Sequence, residues 1–282
     1  LAGGTGSRLF PITLAVSKQL LPVYDKPLIY YSISTLMYAG ITEILIISTP
    51  HDIPLYKKLL SDGSQWGVKF SFEIQKEPKG IAEAFIIGQD FIGNSNCVLI
   101  LGDNIFFGDA FIENLKEASS QKSGACIFAF NVSNPSDYGV VEFKDDLAIS
   151  IEEKPKKPKS SFAVPGIYFY DNYVIEIAKN ISPSARGELE ITDINNFYLS
   201  EEKLFVKIME KGTAWLDAGT PQSMIEAGQF IEVIEKRQGI KIMCPEEVAW
   251  EAGLIDDEKL IKTTDKLTQS EYGKYLRNLL NN

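Results

Sequence analysis

Along the first hundred residues, short runs of apolar residues alternate with stretches whose apolar residues have helical spacing. The run bounded by Glu43 and Ser48 is continuously apolar between them, a pattern typical of a strand covered on both faces. Leu1 and Ala2 resemble the end of another buried strand. This alternation predicts a parallel sheet with helices on both sides. The other elements predicted here are strands at 68–75 and 97–101 and helices at 27–40, 52–60 and 81–91.

From residue 125 onward the pattern shifts toward strands, and helices return later. We therefore predict an α/β protein with a Rossmann-like, mostly parallel central sheet, a strand-rich second half and C-terminal helices. The predicted strands are 125–132, 139–143, 148–152 and 165–170, and the predicted helices are 171–180, 189–199 and 221–237. An exposed loop is expected at 153–161. The predicted boundaries are a main domain at 1–239, divided into halves at 1–124 and 125–239, and a helical appendage at 240–282.

Composition and charge narrow the choice of partners. The chain has 282 residues and a formal net charge of −10. Nucleic acids and anionic membranes require a basic surface, so neither is expected as a partner. The sequence has no run of about 18 apolar residues, which argues against a membrane span. Residues 1–26 carry a local charge of +2, which suits a small anionic ligand.

The rarer residue types exclude several kinds of chemistry. Cys97, Cys126 and Cys244 are widely spaced and form no C-x-x-C pair, so neither a zinc site nor a disulfide framework is expected. A reducing, cytoplasmic setting follows. The single histidine, His51, is predicted to lie on the surface at a strand end, which disfavours Ser-His-Asp or Cys-His catalysis. The sequence begins without Met and inside a motif, so we expect a preceding strand of a few residues, and targeting cannot be judged from this end.

The first 27 residues contain the main candidate for ligand binding. Gly3, Gly4 and Gly6 form a turn whose backbone N–H groups can approach a ligand closely. Arg8 and Lys18 add two cations, and donors together with cations suit a polyphosphate. A Walker A loop is excluded because Gly6 is not followed by the Gly-Lys-Ser/Thr sequence that such a loop needs.

Two carboxylates and one cation form the next group of candidates. Asp103 follows the strand at 97–101, and Asp217 lies between a short strand and a helix. Either one alone is equally well explained as a helix cap or turn residue. Together they suit Mg²⁺, which takes one or two protein carboxylates in addition to substrate phosphates. Lys154 offers a point charge to a phosphate, and Glu153 can accept hydrogen bonds from sugar hydroxyls.

Gln75 is the candidate for reading a nucleotide base. Its amide presents a donor and an acceptor together, which matches the N3–H and O4 edge of thymine or uracil. Gly80, five residues later, would let a base approach the backbone.

The motifs taken together resemble a known enzyme family. The sequence G-G-x-G-x-R-L-x-P-x-T at 3–13, followed by Lys18, is similar to the signature of sugar-nucleotide pyrophosphorylases, the nucleotidyltransferases that act on sugar 1-phosphates. Within that family the chain looks closest to the glucose-1-phosphate thymidylyltransferases. The resemblance covers essentially the whole chain through LGDN at 101–104, YGVVE at 138–142, EEKP at 152–155, RGELEITD at 186–193 and WLDAGT at 215–220.

The resemblance implies a fold, a reaction and a set of site residues. The fold is that of nucleotide-diphospho-sugar transferases, and the reaction is dTTP plus glucose 1-phosphate giving dTDP-glucose and pyrophosphate with Mg²⁺, the first step toward dTDP-rhamnose. It also implies a homotetramer and feedback by a dTDP-sugar. Catalytic roles fall on Arg8, Lys18 and Lys154, and metal binding on Asp103 and Asp217. Nucleotide contacts fall on Gly3, Gly4, Gly6, Ser7, Arg8, Lys18, Gln19, Gln75, Gly80 and Asp103, and sugar-phosphate contacts on Asn104, Gly139, Glu153, Lys154 and Val164.

Two departures and three alternatives remain open at this point. Pro165 stands where the family typically has Thr, and Lys79 where it usually has an acid. The nearest alternative is the same reaction with UTP or another sugar 1-phosphate, because one methyl group separates thymine from uracil. A non-catalytic sugar-nucleotide sensor would be expected to lack Arg8, Lys18 or the carboxylates. A nicotinamide oxidoreductase is disfavoured because Leu9 replaces the last glycine of the dinucleotide fingerprint.

Overall fold

Strands and helices alternate along the first half of the chain, and strands dominate the region that follows. The computed structural model describes residues 1–4 and 6–281, so Thr5 of the glycine turn lies outside the described residues. The strands are β1 (Pro22–Val23), β2 (Lys26–Pro27), β3 (Glu43–Ser48), β4 (Lys69–Ile74), β5 (Cys97–Ile100), β6 (Asn104–Phe107), β7 (Ala125–Asn131), β8 (Gly139–Lys144), β9 (Leu147–Glu153), β10 (Phe162–Ala163), β11 (Ile167–Tyr170), β12 (Leu204–Ile208) and β13 (Ala214–Asp217). The helices are α1 (Leu28–Tyr38), α2 (Ile53–Leu60), α3 (Glu83–Ile87), α4 (Gln89–Ile92), α5 (Asp109–Ser119), α6 (Val174–Asn180), α7 (Ile191–Ser200), α8 (Pro221–Gln238), α9 (Pro245–Glu251), α10 (Asp257–Thr264) and α11 (Glu271–Leu279).

A seven-stranded sheet forms the largest layer of this structure. Its strand order is β5-β11-β7-β10-β8-β9, and β12 pairs with β7. Three smaller pairs, β1–β2, β3–β4 and β6–β13, lie outside this order. Leu1 and Ala2 connect the edges of β3 and β5, because the amino group of Leu1 donates to Ile100 O (2.7 Å) and Ala2 N donates to Ile47 O (2.8 Å).

The predicted α/β class with a large sheet and C-terminal helices is confirmed, and one feature of the sheet differs. The sequence pattern predicts mainly parallel pairing, whereas parallel pairing joins only β3 to β4 and β7 to β12 among the described strands. The other pairs in the large sheet are antiparallel. The reason is that β10 and β11, from the strand-rich second half, insert beside β5 and β7 and run in the opposite direction.

Two groups of buried apolar side chains support the sheet. One group lies around α1 and α5 and includes Tyr31, Phe106 and Phe128, and the other lies around α3, α6 and α7 and includes Phe85 and Tyr170. Tyr31 and Phe106 are fully buried. These layers hold the carboxyl ends of the strands in place, and the polar residues named above lie at those ends.

The segment after α8 packs into the first of these groups. Met243, Val248 and Leu260 are buried there. Glu235, near the end of α8, accepts from Lys26 Nζ (3.2 Å), Lys241 Nζ (2.6 Å) and the backbone N–H of Ile242 (2.9 Å). The predicted helices are present in this segment, while its status as a separate unit stays a prediction. None of the described helices has the length and apolar character needed to cross a membrane.

Candidate active site

A cavity of about 630 Å³ opens where the glycine turn meets the carboxyl ends of the strands. Eleven of the residues predicted from the sequence line it: Gly3, Arg8, Lys18, Gln19, Asp103, Asn104, Gly139, Glu153, Lys154, Val164 and Asp217. Five others do not line this cavity: Gly4, Gly6, Ser7, Gln75 and Gly80. The structure therefore collects most of the candidates from distant parts of the chain into one space.

The glycine turn aims Arg8 at the cavity. Gly6 has a left-handed backbone (φ 58°) and precedes a short 3₁₀ turn at Ser7–Leu9. The turn is fixed by Leu9 N donating to Gly6 O (2.9 Å) and by Thr13 Oγ1 donating to the same oxygen (2.8 Å). A Cβ on Gly219 would lie 3.1 Å from Arg8 Nη2, so the glycine leaves room for the guanidinium group.

The two candidate metal-binding carboxylates are brought together by strand pairing. In the antiparallel pair β6–β13, Asp217 lies opposite Asn104. Ala218 N also donates to Asp103 O (3.0 Å), so the residue after β13 is tied to the residue before β6. Two positions more than a hundred residues apart thus place their side chains in one cavity. Among residues 1–4 and 6–281, no group of three or more His, Cys, Asp or Glu side chains is arranged to hold a metal ion.

The charges on this pair are unequal. Burial by itself would raise the pKa of Asp103, but the ammonium of Lys18, which contacts its carboxylate directly, and the amide of Asn104 lower it below its usual range. Burial raises the pKa of Asp217 to about 6, and the negative charge of Asp103 adds to this increase. The nearby cations Lys18, Arg8 and Lys154 oppose the increase only in part. A further positive charge at this point would therefore be stabilised.

Asn104 orients Asp103. Its Oδ1 accepts from Gly166 N (3.0 Å) and from Trp215 Nε1 (2.7 Å), so both lone pairs of that oxygen are used. The amide nitrogen must then point the other way, and it donates to Asp103 Oδ1 (3.0 Å). Asn104 is 3 % exposed. One hydrogen of its amide nitrogen remains for a ligand in the cavity.

The opposite wall carries Lys154 and Glu153. Lys154 has a left-handed backbone (φ 43°), and its N–H donates to Tyr138 O (3.0 Å). The carboxylate of Glu153 accepts from Thr192 Oγ1 (2.6 Å) and from Arg186 Nη2 (3.3 Å). Gly139 and Val164 are joined by a backbone hydrogen bond of 2.8 Å below these side chains. The half-exposed ammonium of Lys154 can bind the phosphate of a sugar phosphate, and the fixed carboxylate of Glu153 can bind the hydroxyl groups of its sugar.

The two glutamines differ in their access to the cavity. Gln19 lines the cavity but is 3 % exposed, and its Oε1 accepts from Ser17 Oγ (2.6 Å). Gln75 is 4 % exposed and lies behind Gly3, while its Nε2 donates to Glu83 Oε2 (2.8 Å). A Cβ on Gly3 would approach Gln75 Oε1 to 2.4 Å, so the amide oxygen contacts the glycine turn directly.

Several cavity residues were not assigned a role from the sequence. Trp215 packs against Tyr138 of the YGVVE motif with ring centroids 4.9 Å apart, and the cavity is also lined by Glu188, Thr220 and Ser223. Trp215, Glu188 and Thr220 lie within recognised motifs, and Ser223 follows WLDAGT by three residues. Proximity to a motif was therefore the available signal. His51, as predicted, is exposed in the turn after β3, with Nδ1 3.1 Å from Asp52 Oδ1.

Comparison with known proteins defines the class. A sequence model of the family described as "Nucleotidyl transferase" matches residues 1–233. The chain therefore belongs to the nucleotidyl transferase family.

Individual relatives within this family show which of its members the chain resembles. The chain is 53% identical to the glucose-1-phosphate thymidylyltransferase of Neisseria meningitidis, over 99% of this chain and 98% of the relative. It is 55% identical to the enzyme of the same name from Mycolicibacterium smegmatis, over 99% and 97%. A Bacillus anthracis structure in complex with sucrose, provisionally assigned as a glucose-1-phosphate thymidylyltransferase, matches with a TM-score of 0.76 and 44% identity over 81% of this chain and 92% of that one. A UDP-glucose pyrophosphorylase complexed with UDP-glucose matches with a TM-score of 0.72 and 25% identity over 84% and 97%.

Proposed function

We propose that the protein transfers a thymidylyl group from dTTP to glucose 1-phosphate, giving dTDP-glucose and pyrophosphate. The observation that carries this proposal is the convergence of two carboxylates with Arg8, Lys18 and Lys154 around one cavity. The names of relatives that share about half of their residues with this chain support the choice of both substrates.

The reaction does not require a general base from the protein. A phosphate monoester carries up to two negative charges at neutral pH, since its second pKa is about 6, so the attacking oxygen needs no deprotonation. His51 lies outside the cavity lining. Rate acceleration then depends on holding the phosphate in line with the α-phosphorus of the nucleotide and on stabilising the charge that develops.

The cations divide this work according to their positions. Arg8 and the N–H groups of the glycine turn would stabilise the leaving pyrophosphate, because Arg8 directly follows the turn and both Arg8 and Gly3 line the cavity. Lys18 would bind the triphosphate after leaving its contact with Asp103. Lys154, on the opposite wall, would bind the incoming phosphate. Glycines 4 and 6 and Ser7 take part through the shape of the turn and its backbone donors.

The sugar would lie between Glu153 and Gly139. Both oxygens of Glu153 are already oriented by Thr192 and Arg186, so its remaining lone pairs can accept from sugar hydroxyls without reorganisation. The free hydrogen on the Asn104 amide and the backbone beside Val164 supply further contacts. Pro165 offers no N–H, so any contact by the backbone at this point uses its carbonyl group or a neighbouring residue.

Mg²⁺ is the metal we propose, with Asp103 and Asp217 as its protein ligands. The donor set fits this ion because it consists of two hard oxygen donors that repel each other, as the raised pKa of Asp217 indicates. When bound, the ion would supply charge neutralisation at the α-phosphate. The residues of the chain hold the phosphates in place around it.

Base selection is assigned to Gln75 behind the glycine turn, with Gly80 shaping the loop beside it. A Cβ on Gly80 would approach Leu189 N and O to 2.5 and 2.4 Å at a φ of 106°, so only glycine fits. Thymine and uracil present the same N3–H and O4 edge, so UTP is the alternative nucleotide.

The test is pyrophosphate release with glucose 1-phosphate and Mg²⁺, measured with dTTP, UTP, dATP and dGTP. We expect dTTP to exceed UTP by tenfold or more in kcat/KM. Equal or faster release with UTP would change the nucleotide assignment while keeping the reaction. Absence of release with every pair of substrates would contradict the proposed function.

Assembly, regulation and location are also part of the proposal. We propose a homotetramer, for which exposed apolar side chains such as Ile225 and Val233 on α8 and Phe205 on β12 offer surfaces, and feedback by a dTDP-sugar. Light scattering that reads a monomer would contradict the assembly. Free thiols at Cys97, Cys126 and Cys244 are compatible with a cytoplasmic location.

A further inference from the structure

The amide of Gln75 is held between two fixed neighbours. Its nitrogen donates to Glu83 Oε2 (2.8 Å), and its oxygen lies against Gly3, which lines the cavity. The side chain is buried, so water does not compete for either group. The amide therefore has one partner that determines its orientation, and its oxygen lies against the glycine turn at the edge of the cavity.

A carboxylate can accept hydrogen bonds but cannot donate one. If the amide turned by 180°, its oxygen would face the oxygen of Glu83, and two acceptors would be left facing each other without a donor between them. The nitrogen must therefore point toward Glu83, and the oxygen must point toward the glycine turn.

The position of Glu83 is itself determined by the backbone. Glu83 is the first residue of α3. The preceding residue, Ala82, donates its N–H to Leu189 O (3.2 Å), and Lys79 O accepts from Leu189 N (2.7 Å). On the other side, Gln75 N donates to Ser48 O (2.8 Å) at the end of β3. Both members of the pair thus stand on anchored backbone.

We infer that Glu83 is a positioning residue that sets base selectivity by holding the Gln75 amide in one orientation. The inference rests on the proposed function, in which Gln75 contacts the base. With its oxygen facing the base, the amide accepts from the N3–H of thymine or uracil. Cytosine has an unprotonated N3 and an amino group at C4, and it would require the opposite orientation. Glu83 would thereby exclude cytidine nucleotides without touching them.

The test compares kcat/KM for dTTP and dCTP in wild type and in Glu83→Gln. A glutamine can face the Gln75 amide with its donor or its acceptor, so both orientations become available. We expect the dTTP-to-dCTP ratio to fall at least tenfold, mainly through a lower KM for dCTP. The matched control is Glu77→Gln, a nearby exposed carboxylate paired with Lys79, whose ratio should stay within twofold of wild type.

General damage to the fold would lower both kcat/KM values alike and leave their ratio intact. A ratio unchanged in Glu83→Gln, with wild type still preferring dTTP, would overturn the inference and leave the proposed function standing. Wild-type protein that uses dCTP as well as dTTP would also overturn it. Loss of all transfer in wild type would instead contradict the proposed function, and the inference with it.

A second test needs no variant and so does not depend on folding. N3-methylthymidine triphosphate lacks the N3–H donor but keeps the methyl group and O4. If the Gln75 oxygen faces the base, wild type should reject this analogue at least a hundredfold relative to dTTP, as it rejects dCTP. Acceptance of the analogue within tenfold of dTTP would contradict the orientation.

Discussion

The carboxyl group of Asp217 lies near the carboxylate of Asp103 in a partly buried position. The protonation of Asp217 should therefore control metal binding. Burial and the charge of Asp103 raise its pKa to about 6, so the metal-free protein holds a proton there below pH 6, and a metal must displace that proton. Affinity for Mg²⁺ should fall about tenfold per pH unit below pH 6 and level off above pH 7. Competition with Mn²⁺, followed by electron paramagnetic resonance from pH 5 to 8, measures this.

The control for that experiment is Asp217→Asn, which removes the titrating group. Its affinity for Mn²⁺ should be weak at every pH and should lose the steep dependence. A wild-type affinity that stays flat between pH 5 and 7 would show that no proton competes with the metal at this site.

Arg8 is the residue from which we expect the largest effect on the rate. Its guanidinium lies beside Asp217 and Gly219 at one end of the cavity, where charge would develop on pyrophosphate. Removing one preorganised donor of this kind typically lowers kcat by about 10²–10³. We expect a loss of that size in Arg8→Ala by single-turnover kinetics. The control is Arg237→Ala, at an exposed position near the end of α8, which should behave as wild type. A loss of kcat of threefold or less in Arg8→Ala would contradict the role of Arg8 in stabilising the leaving pyrophosphate.

At the scale of elements, the sequence predicts local structure well and long-range pairing poorly. The strand at 43–48 is found at those residues, because a continuous apolar run is a local signal. The helix predicted at 81–91 is interrupted at Gly88 and becomes α3 and α4. Strands β6 and β12 and helix α5 were not predicted. Strand β6 directly follows Asp103 and acquires its strand character by pairing with β13, which lies more than a hundred residues away.

The residues of the site could be predicted where a local sequence signal marks them, but their partners from other elements could not. Asp103 and Asp217 stand out because each lies close to the end of a strand and within two residues of a glycine. Only the β6–β13 pair brings them together. The orientation of Asn104 depends on Trp215 and Gly166, and that of Gln75 on Glu83. No local pattern encodes these partners, since they come from other elements of the folded chain.

Helix α9 carries a carboxyl group that should make stability depend on pH. Burial raises the pKa of Glu247 to about 7, although a hydrogen bond from Tyr275 OH (2.5 Å) opposes the increase. An acid whose pKa is raised by folding stabilises the fold when protonated, so this contribution is complete below pH 4.5 and is lost as the pH rises through 7. Wild type should lose this contribution between pH 5 and pH 8, whereas Glu247→Gln should not. The free energy of unfolding of Glu247→Gln should therefore rise by about 1–3 kcal/mol relative to that of wild type between these two pH values.

Urea unfolding at the two pH values measures that gain. Glu258→Gln, an exposed carboxyl group on the neighbouring helix α10, provides the comparison and should show no such dependence. An equal effect of Glu247→Gln at pH 5 and pH 8 would mean that Glu247 is ionised throughout this range.

At the scale of the whole molecule, buried charges join the C-terminal segment to the first strands. Glu235 lies between Lys26 and Lys241, and all three side chains are largely buried. Removing one member of such a group leaves uncompensated charges and typically costs about 3–5 kcal/mol. We expect Glu235→Ala to lose free energy of unfolding on that scale. The control is Glu232→Ala, one turn earlier in α8 beside Lys236, whose free energy of unfolding should fall by less than about 1 kcal/mol. Similar losses in the two variants would contradict a buried ionic connection.

We propose that one cavity performs nucleotidyl transfer between dTTP and glucose 1-phosphate. The most direct measurement is ³¹P nuclear magnetic resonance of the reaction mixture with Mg²⁺, for wild type and for Asp217→Asn. We predict that dTDP-glucose and pyrophosphate appear in a one-to-one ratio with wild type and are nearly absent with the variant. Pyrophosphate that accumulates without a sugar nucleotide, or equal turnover by the two proteins, would contradict the account.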